Sequence, residues 1–408
     1  MMGAKEARRL QSRLGCRVFQ GLVKIGNYFM GYRTPQCLEG AGCVTRLPGL
    51  VRAQGVERVL VVTGRTITAR GLNRGLLDAL EAAGVQAVLF TDLEPNPTSD
   101  NVEAGYAAYR DGGCQAIIAF GGGSPMDCAK AVAARAARPD RTVAQLQGLL
   151  KVRRRVPLLF AVPTTAGTGS ETTVAAVITD SATHRKAAIN DPALIPAWAV
   201  LDPELTVGLS PFLTATTGMD ALCHAVEAYT NHTYNTRLEN DLTLRAAALI
   251  HTYLPLAWQD GSDLTARQEM QRAAFYAGRA FTRGGVGYVH ALGHTLGGLY
   301  GVPHGLAMAV ILPHVMRRYG AAAHRRLAEL AAACGLPGSS EPERAEAFLR
   351  WIEGQNRAMG LPDRLDMIRD EDVEQIVAWA MQEGNPLYPV PAVWGREDFL
   401  AVLRDLRG

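Results

Sequence analysis

Several absences narrow the field first. No apolar run approaches the roughly 20 residues needed to cross a bilayer, so no spanning helix is expected. Seven cysteines, an odd number with no C-x-x-C pair, argue against a disulfide framework or a zinc knuckle and favour a reducing, cytoplasmic compartment. Charge of one sign is also nearly lacking. Forty-two Lys and Arg against 39 Asp and Glu leave +3, too little to suggest a nucleic-acid binder. The 42 glycines show no G-x-y period, which excludes a collagen-like fibre and points to many tight turns.

What is present is an ordinary packed chain of 408 residues, 48% hydrophobic and 20% charged, long enough for two domains. Its charge is uneven. Residues 1–35 carry Lys5, Arg8, Arg9, Arg13, Arg17, Lys24 and Arg33 against Glu6 alone, leaving a mildly acidic body. Within this leader Leu10, Leu14, Val18, Leu22, Ile25 and Phe29 recur at steps of four and three, the mark of an amphipathic helix. Serine is scarce and no cleavage pattern follows. The helix is therefore expected to dock on the body or a partner subunit rather than to serve as a transit peptide or lie on a membrane. A homodimer or higher homo-oligomer is expected.

From residue 56 short β-branched runs alternate with helical stretches: 56–63, 85–91, 115–120 and 156–162 read as strands, with helices over 71–83, 101–111 and 125–136. Such alternation implies a parallel sheet covered on both faces. The basic run Arg153–Arg155 reads as a solvated loop. After Leu209-Ser210-Pro211 convincing strands disappear, and Ala- and Leu-rich helical stretches run to about residue 383. The expected organisation is thus a basic helix over 1–35, a dinucleotide-binding α/β domain over 36–210, and an all-α domain over 211–408.

Two turns and a set of histidines carry the chemistry. Gly121-Gly122-Gly123-Ser124-Pro125-Met126-Asp127 lies where a strand gives way to a helix. Ser124 suits the N-cap, Pro125 the first helical position, and Asp127 a capping-box-like place. Glycines there let a phosphate approach free N–H groups and the positive end of the helix dipole, although the turn is not G-x-G-x-x-G. A second hydroxyl-rich loop, Pro163–Glu171, follows the next strand and contains Thr164, Thr165 and Thr168. Strand ends of a parallel sheet are where such folds bind ligands. Asp220 and His224 stand four apart, as do His290 and His294, and His304 follows closely. The mixed set Asp220, His224, His290 and His304 suits a divalent transition metal, iron(II) or zinc. His232, His251, His314 and His324 are expected to be ordinary packed or surface residues.

GGGSPMDCAK, PTTAGTGSE, GMDALCHAVEAY and VHALGHTLGGLYGVPHG, with EPNPT at 94–98 and DP at 191–192, resemble the iron-containing alcohol dehydrogenase family from about residue 36 onward. That resemblance implies a dehydroquinate synthase-like fold: an α/β dinucleotide-binding domain with a parallel sheet, then an all-α metal-binding domain. It implies iron(II), replaceable by zinc, on Asp220, His224, His290 and His304, and a proton-transfer role for His294. It places cofactor contacts at Gly122, Gly123, Ser124 and Asp127, and at Asn96, Thr164, Thr165, Thr168 and Lys186. The implied substrate is a small alcohol or aldehyde. A hydroxyacid–oxoacid transhydrogenase or another specialised reductase of this fold is the alternative within enzymes, and a non-catalytic scaffold the alternative outside them. The sequence departs from many NAD-using members at Gly64, where they carry Asp. Without that carboxylate, and with Arg65 adjacent, NADP(H) is expected in preference to NAD(H).

Overall fold

The computed structural model describes residues 12–93, 95–182 and 186–408. The start of the basic leader, including Leu10, and Glu94 of the EPNPT stretch lie outside these.

The chain divides into two compact units. One comprises residues 31–208 together with 262–275; the other comprises the N-terminal segment through Met30, 209–261 and 276–408. This differs from a simple split at residue 210. The leader clusters with the helical unit, and the beginning of one long helix clusters with the sheet.

In the first unit the strands are β1 (Gln36–Glu39), β2 (Arg58–Val62), β3 (Gln86–Phe90), β4 (Ala116–Gly121), β5 (Gly148–Leu149), β6 (Leu158–Pro163), β7 (Ala175–Thr179), β8 (Lys186–Asn190) and β9 (Trp198–Leu201). Six of them form one sheet in the order β1-β9-β6-β4-β2-β3, every pair parallel. The reason lies in the sequence: β4 is buried at all six positions and β2 at four of five, as strands covered on both faces must be. Alternation sorts the side chains. Leu60, Val62, Ile117, Ala119, Leu159 and Ala161 join one apolar cluster, whereas Val59, Val61, Ile118, Phe120, Phe160 and Val162 join another. A smaller sheet, β5-β8-β7, pairs β8 parallel with β5 and antiparallel with β7.

The α/β unit reads in sequence much as expected, with four strands where the β-branched runs lie. The strands β1, β5, β7, β8 and β9 were not expected from the sequence.

The helices, in chain order, are α1 (Arg13–Phe29), α2 (Leu47–Ala53), α3 (Arg65–Ala69), α4 (Arg74–Ala82), α5 (Ser99–Asp111), α6 (Gly123–Ala137), α7 (Val143–Leu146), α8 (Pro211–Thr230), α9 (Arg237–Gln259), α10 (Leu264–Gly284), α11 (Tyr288–Tyr300), α12 (His304–Tyr319), α13 (Ala321–Ala333), α14 (Glu341–Ala358), α15 (Val373–Gly384) and α16 (Arg396–Arg407). Helix α8 is buried on nearly every side, which fits its apolar composition all round. Ser210 caps it by accepting from the Leu213 N–H, and Pro211 occupies the first turn. The N-terminus of α12 approaches α8 closely: a Cβ built on Gly305 would lie 2.4 Å from the Thr216 carbonyl oxygen. Only glycine lets these two backbones meet.

Candidate metal centre and dinucleotide-binding turns

Three helices of the second unit deliver the histidine set. Helix α8 supplies Asp220 and His224, one turn apart on one face and both buried. Helix α11 supplies His290, also buried, and α12 opens with His304, which is partly exposed. One ligand atom from each of the four lies within 4.8 Å of the others. His304 Nε2 is 3.4 Å from Asp220 Oδ1, and His224 Nδ1 is 3.9 Å from the same oxygen. Phe281 stacks flat on His224, with ring centroids 4.1 Å apart.

The donor set fits a cation. Asp220 Oδ1, His224 Nδ1 and His290 Nε2 are buried polar atoms without a hydrogen-bond partner. Each orphaned group of this kind costs about 1–3 kcal/mol, and three converging on one point call for a common partner. Protonation points the same way. Burial pushes His224 down to about 3 and His290 well below its ordinary value, so both present neutral imidazole, the form that binds metal. Burial opposes ionisation of Asp220, yet the surrounding His224, His304 and His290 outweigh it and hold the carboxyl below the usual range.

A fifth residue escaped the sequence reading. Glu227, 1% exposed, accepts from the Val289 N–H at 2.8 Å through Oε1 and meets His290 Nδ1 at 2.5 Å through Oε2. That bond fixes the His290 ring and turns Nε2 toward the other ligands, the carboxylate–histidine–metal arrangement. Burial raises the Glu227 carboxyl to about 7, and a nearby cation favours its ionised form. The signal was legible: Asp220, His224 and Glu227 are spaced i, i+4, i+7 on one helix face. Cys223 joins Glu227 and His290 in a second close group, and burial drives its thiol far above its ordinary pKa.

His294 stands one turn beyond His290, outside the four-atom set. Its Nδ1 meets Glu383 Oε1 at 2.7 Å, and the Tyr388 hydroxyl donates to the same oxygen at 2.7 Å. Its ring stacks beside His304, centroids 5.4 Å apart. His232, His251, His314 and His324 join no metal-ligating group among the described residues.

In the sheet unit the two polar turns sit side by side, because β4 and β6 are neighbours. A Cβ on Gly122 would touch Thr165 at 3.4 Å and one on Gly123 would touch Thr168 at 3.3 Å. Gly121 has φ +148°, and a Cβ there would fall 2.6 Å from Pro125. The cap differs from expectation. Gly122, not Ser124, is the N-cap of α6, and no side chain closes it. The N–H groups of Gly123 and Ser124 therefore open the helix, as an anion-binding terminus requires. The capping-box place foreseen for Asp127 is not used. Its carboxylate accepts from the Ser170 hydroxyl at 3.0 Å and the Val177 N–H at 3.1 Å, which ties α6 to the second loop.

Thr164 donates its N–H to the Gly121 carbonyl at 3.1 Å, joining the turns. Asn96, in the left-handed region at φ +61°, accepts from Lys186 Nζ at 2.9 Å and donates its N–H to the Ser124 hydroxyl at 3.3 Å. Lys186, Asn96 and Ser124 thus form one chain beside the glycine turn. Gly64 caps α3, with nothing within 4 Å of a Cβ placed there. Arg65 is exposed and paired with Asp92, which follows β3.

Comparison with known proteins decides the family. Residues 34–203 match the family described as iron-containing alcohol dehydrogenase, and residues 214–406 match that family's C-terminal domain. The chain belongs to the iron-containing alcohol dehydrogenases. It is 35% identical to the NAD-dependent methanol dehydrogenase of Bacillus methanolicus over 88% of this chain and 93% of that one. Among solved structures it resembles 1,3-propanediol oxidoreductase, with a TM-score of 0.88 and 33% identity over 92% of this chain and 99% of that one. It also resembles the sulfoacetaldehyde reductase from Bifidobacterium kashiwanohense in complex with NAD+, with a TM-score of 0.83 and 29% identity, covering 93% and 99%. Like other members of this family, the protein is an oxidoreductase acting on alcohols.

Proposed function

We propose that the protein interconverts a small primary alcohol and its aldehyde with a nicotinamide dinucleotide, using iron(II), replaceable by zinc, held by Asp220, His224, His290 and His304. The observation that carries this reading is the convergence of four ligand atoms within 4.8 Å, three of them buried without partners. Relatives named for methanol, 1,3-propanediol and sulfoacetaldehyde support a short substrate. A bound cation there supplies Lewis acidity at the substrate oxygen.

The chain's own residues do the rest. Glu227 orients His290. The glycine turn and the N–H groups of Gly123 and Ser124 bind pyrophosphate, while Asn96, Lys186, Thr164, Thr165 and Thr168 offer further polar contacts to the cofactor. Asp127 supports the site indirectly by holding the second loop. A nicotinamide dinucleotide bound along these residues would supply the hydride donor or acceptor for the alcohol carbon. His294, held by Glu383, passes the hydroxyl proton to or from water.

The finer reading is that NADP(H) is accepted in preference to NAD(H). Open space at Gly64 and a guanidinium beside it support this; the pairing of Arg65 with Asp92 and the NAD-named relatives weigh toward NAD(H). A reducing compartment such as the cytoplasm fits the free cysteines, all but Cys37 buried.

The test is metal analysis of anaerobically purified wild type and His290→Ala, with NADPH- and NADH-dependent reduction of short aldehydes. We expect the variant to lose metal and turnover while retaining dinucleotide binding. Full activity in metal-free His290→Ala refutes the assignment. Reduction of an aldehyde by NAD(P)H alone excludes a strict transhydrogenase, and any turnover excludes a scaffold.

A further inference from the structure

Helix α1 sits on the helical unit with the wrong face outward. Cys16 and Gln20 are its buried residues. Gln20 Nε2 donates to the Tyr388 carbonyl at 2.7 Å and the Pro386 carbonyl at 3.2 Å. Arg17 donates to the carbonyls of Val390 and Pro391 at 2.9 and 2.8 Å. The docked face is therefore fastened largely through polar bonds. The apolar stripe foreseen in the sequence points away: Leu14, Val18, Leu22, Ile25, Tyr28 and Phe29 are 58–80% exposed. These six are over a third of the sixteen exposed large hydrophobics among the described residues, gathered on one 17-residue helix. Scattered apolar residues need no explanation, but a contiguous stripe marks an interaction surface.

Charge selects the occupant. At about 100° per residue, Leu14, Ile25, Val18, Phe29 and Leu22 fall within about 80° of arc, and Arg17, Lys24 and Arg13 follow together along one flank. Residues 12–35 contain no Asp or Glu. Two copies laid face to face would bring cations together with no acid on either helix to pair them, which disfavours self-association. A cavity of about 320 Å³ opens at the same end of the helix, lined by Arg13, Arg17, Arg318, Trp394 and Asp398. Asp398 engages Arg318 at 2.6 Å and lies 4.0 Å from Arg13, so three guanidinium groups face one carboxylate. No helix among the described residues is long and apolar enough to cross a membrane. An apolar stripe with a cationic flank on a helix free of acidic residues, beside a recess where guanidinium groups outnumber the one carboxylate, matches a helix lying in the headgroup region of an anionic bilayer.

We propose that α1 is a peripheral anchor that binds the surface of an anionic phospholipid membrane. Its leucines and aromatics enter the acyl boundary, while the exposed cations Arg13 and Lys24 meet lipid phosphates. The helix does dock on the body, one of the two placements expected, but through its polar side, and the proposal departs from the expectation that it does not lie on a membrane. It is independent of the catalytic reading, since none of these residues belongs to the metal or dinucleotide sites.

The test uses the full-length protein in co-sedimentation with phosphatidylcholine vesicles, with and without 30 mol% phosphatidylglycerol. We expect binding to the anionic vesicles at least tenfold stronger than to neutral ones, and weakened by 1 M salt. Leu14→Glu/Leu22→Glu/Ile25→Glu should lower binding at least tenfold, and Lys24→Gln about fivefold. Leu14, Leu22 and Ile25 are 61–76% exposed and Lys24 is exposed, so melting temperature and aldehyde turnover should stay close to wild type. Lys24→Gln keeps the proposal falsifiable should the triple variant fail to fold. Wild type that stays in the supernatant, or binds both vesicle types equally, overturns the proposal. So does a triple variant that sediments with vesicles like wild type, or one whose only change is dissociation of an oligomer in analytical ultracentrifugation.

Discussion

The backbone contact between α12 and α8 permits a sharp test, because one methyl group suffices to break it. A Cβ on Gly305 would lie 2.4 Å from the Thr216 carbonyl oxygen and 2.8 Å from its carbon. An ordinary contact needs about 3.5 Å, so Gly305→Ala must push the start of α12 away from α8 by about 1 Å. His304 is the residue immediately before, and metal–ligand distances tolerate only about ±0.2 Å. Overpacking of this kind costs about 1–3 kcal/mol, and the displaced imidazole should lower metal affinity as well. Gly298, on α11, is the matched control: nothing lies within 4 Å of its Cβ, and alanine is favoured over glycine in a helix by about 1 kcal/mol. Thermal melts with and without chelator, alongside metal stoichiometry by mass spectrometry, separate the two. Gly298→Ala should melt at or above wild type and keep its metal. Gly305→Ala should melt several degrees lower and purify with less metal. If the two variants behave alike, the close approach does not position His304 and the reasoning fails.

Other perturbations have equally definite outcomes. His294→Ala should keep the metal content of wild type while slowing turnover by about 10²–10⁴-fold; loss of metal as complete as in His290→Ala would make it a ligand instead. Glu227→Gln should weaken metal binding by about 10–100-fold, measured as a dissociation constant by competition with a chelator, because the ionised carboxylate that orients His290 is gone; unchanged affinity would remove Glu227 from the site. Gly64→Asp has room for its side chain and should move the ratio of kcat/KM toward NADH over NADPH; an unmoved ratio in an enzyme already preferring NADH defeats the argument from that position. Glu171 is buried, and its carboxyl is raised by burial to about 7, so the native state holds a proton that the unfolded chain releases above about 4.5. That contribution is present at low pH and is lost as pH rises through 7. Glu171→Gln should therefore melt close to wild type near pH 4.5 but gain up to about 3 kcal/mol by pH 8, and an equal difference at both pH values would contradict it.

How much of this was legible beforehand follows from what each signal requires. Three of the four expected strands, β2, β4 and β6, announced themselves because strands buried on both faces are continuous apolar runs, as in Val59–Val62 and Ala116–Phe120; the edge strand β3 showed through its apolar composition although it is exposed at three of five positions. The proposed ligand set was legible because side chains that converge from one helix recur every turn, and the same rule applied once more would have reached Glu227. Glu383 and Tyr388 could not be reached that way. They lie far along the chain from His294 and meet it only through packing, which spacing does not encode. The cap of α6 went to Gly122 rather than Ser124 because the Ser124 hydroxyl is engaged by Asn96, a contact between segments 28 residues apart. Periodicity likewise located the amphipathic stripe of α1 but not its direction. A 3.6-residue pattern says that one face is apolar; whether that face turns inward is decided by what competes for the body, and here Gln20 and Arg17 win by satisfying the backbone carbonyls of Pro386, Tyr388, Val390 and Pro391. Those carbonyls belong to the NPLYPVPAVW stretch, rich in proline and short of its own backbone partners. The leader and this proline-rich stretch are therefore one structural device: side-chain donors on α1 saturate an irregular segment that no strand or helix would, and in doing so they leave the leucines facing outward.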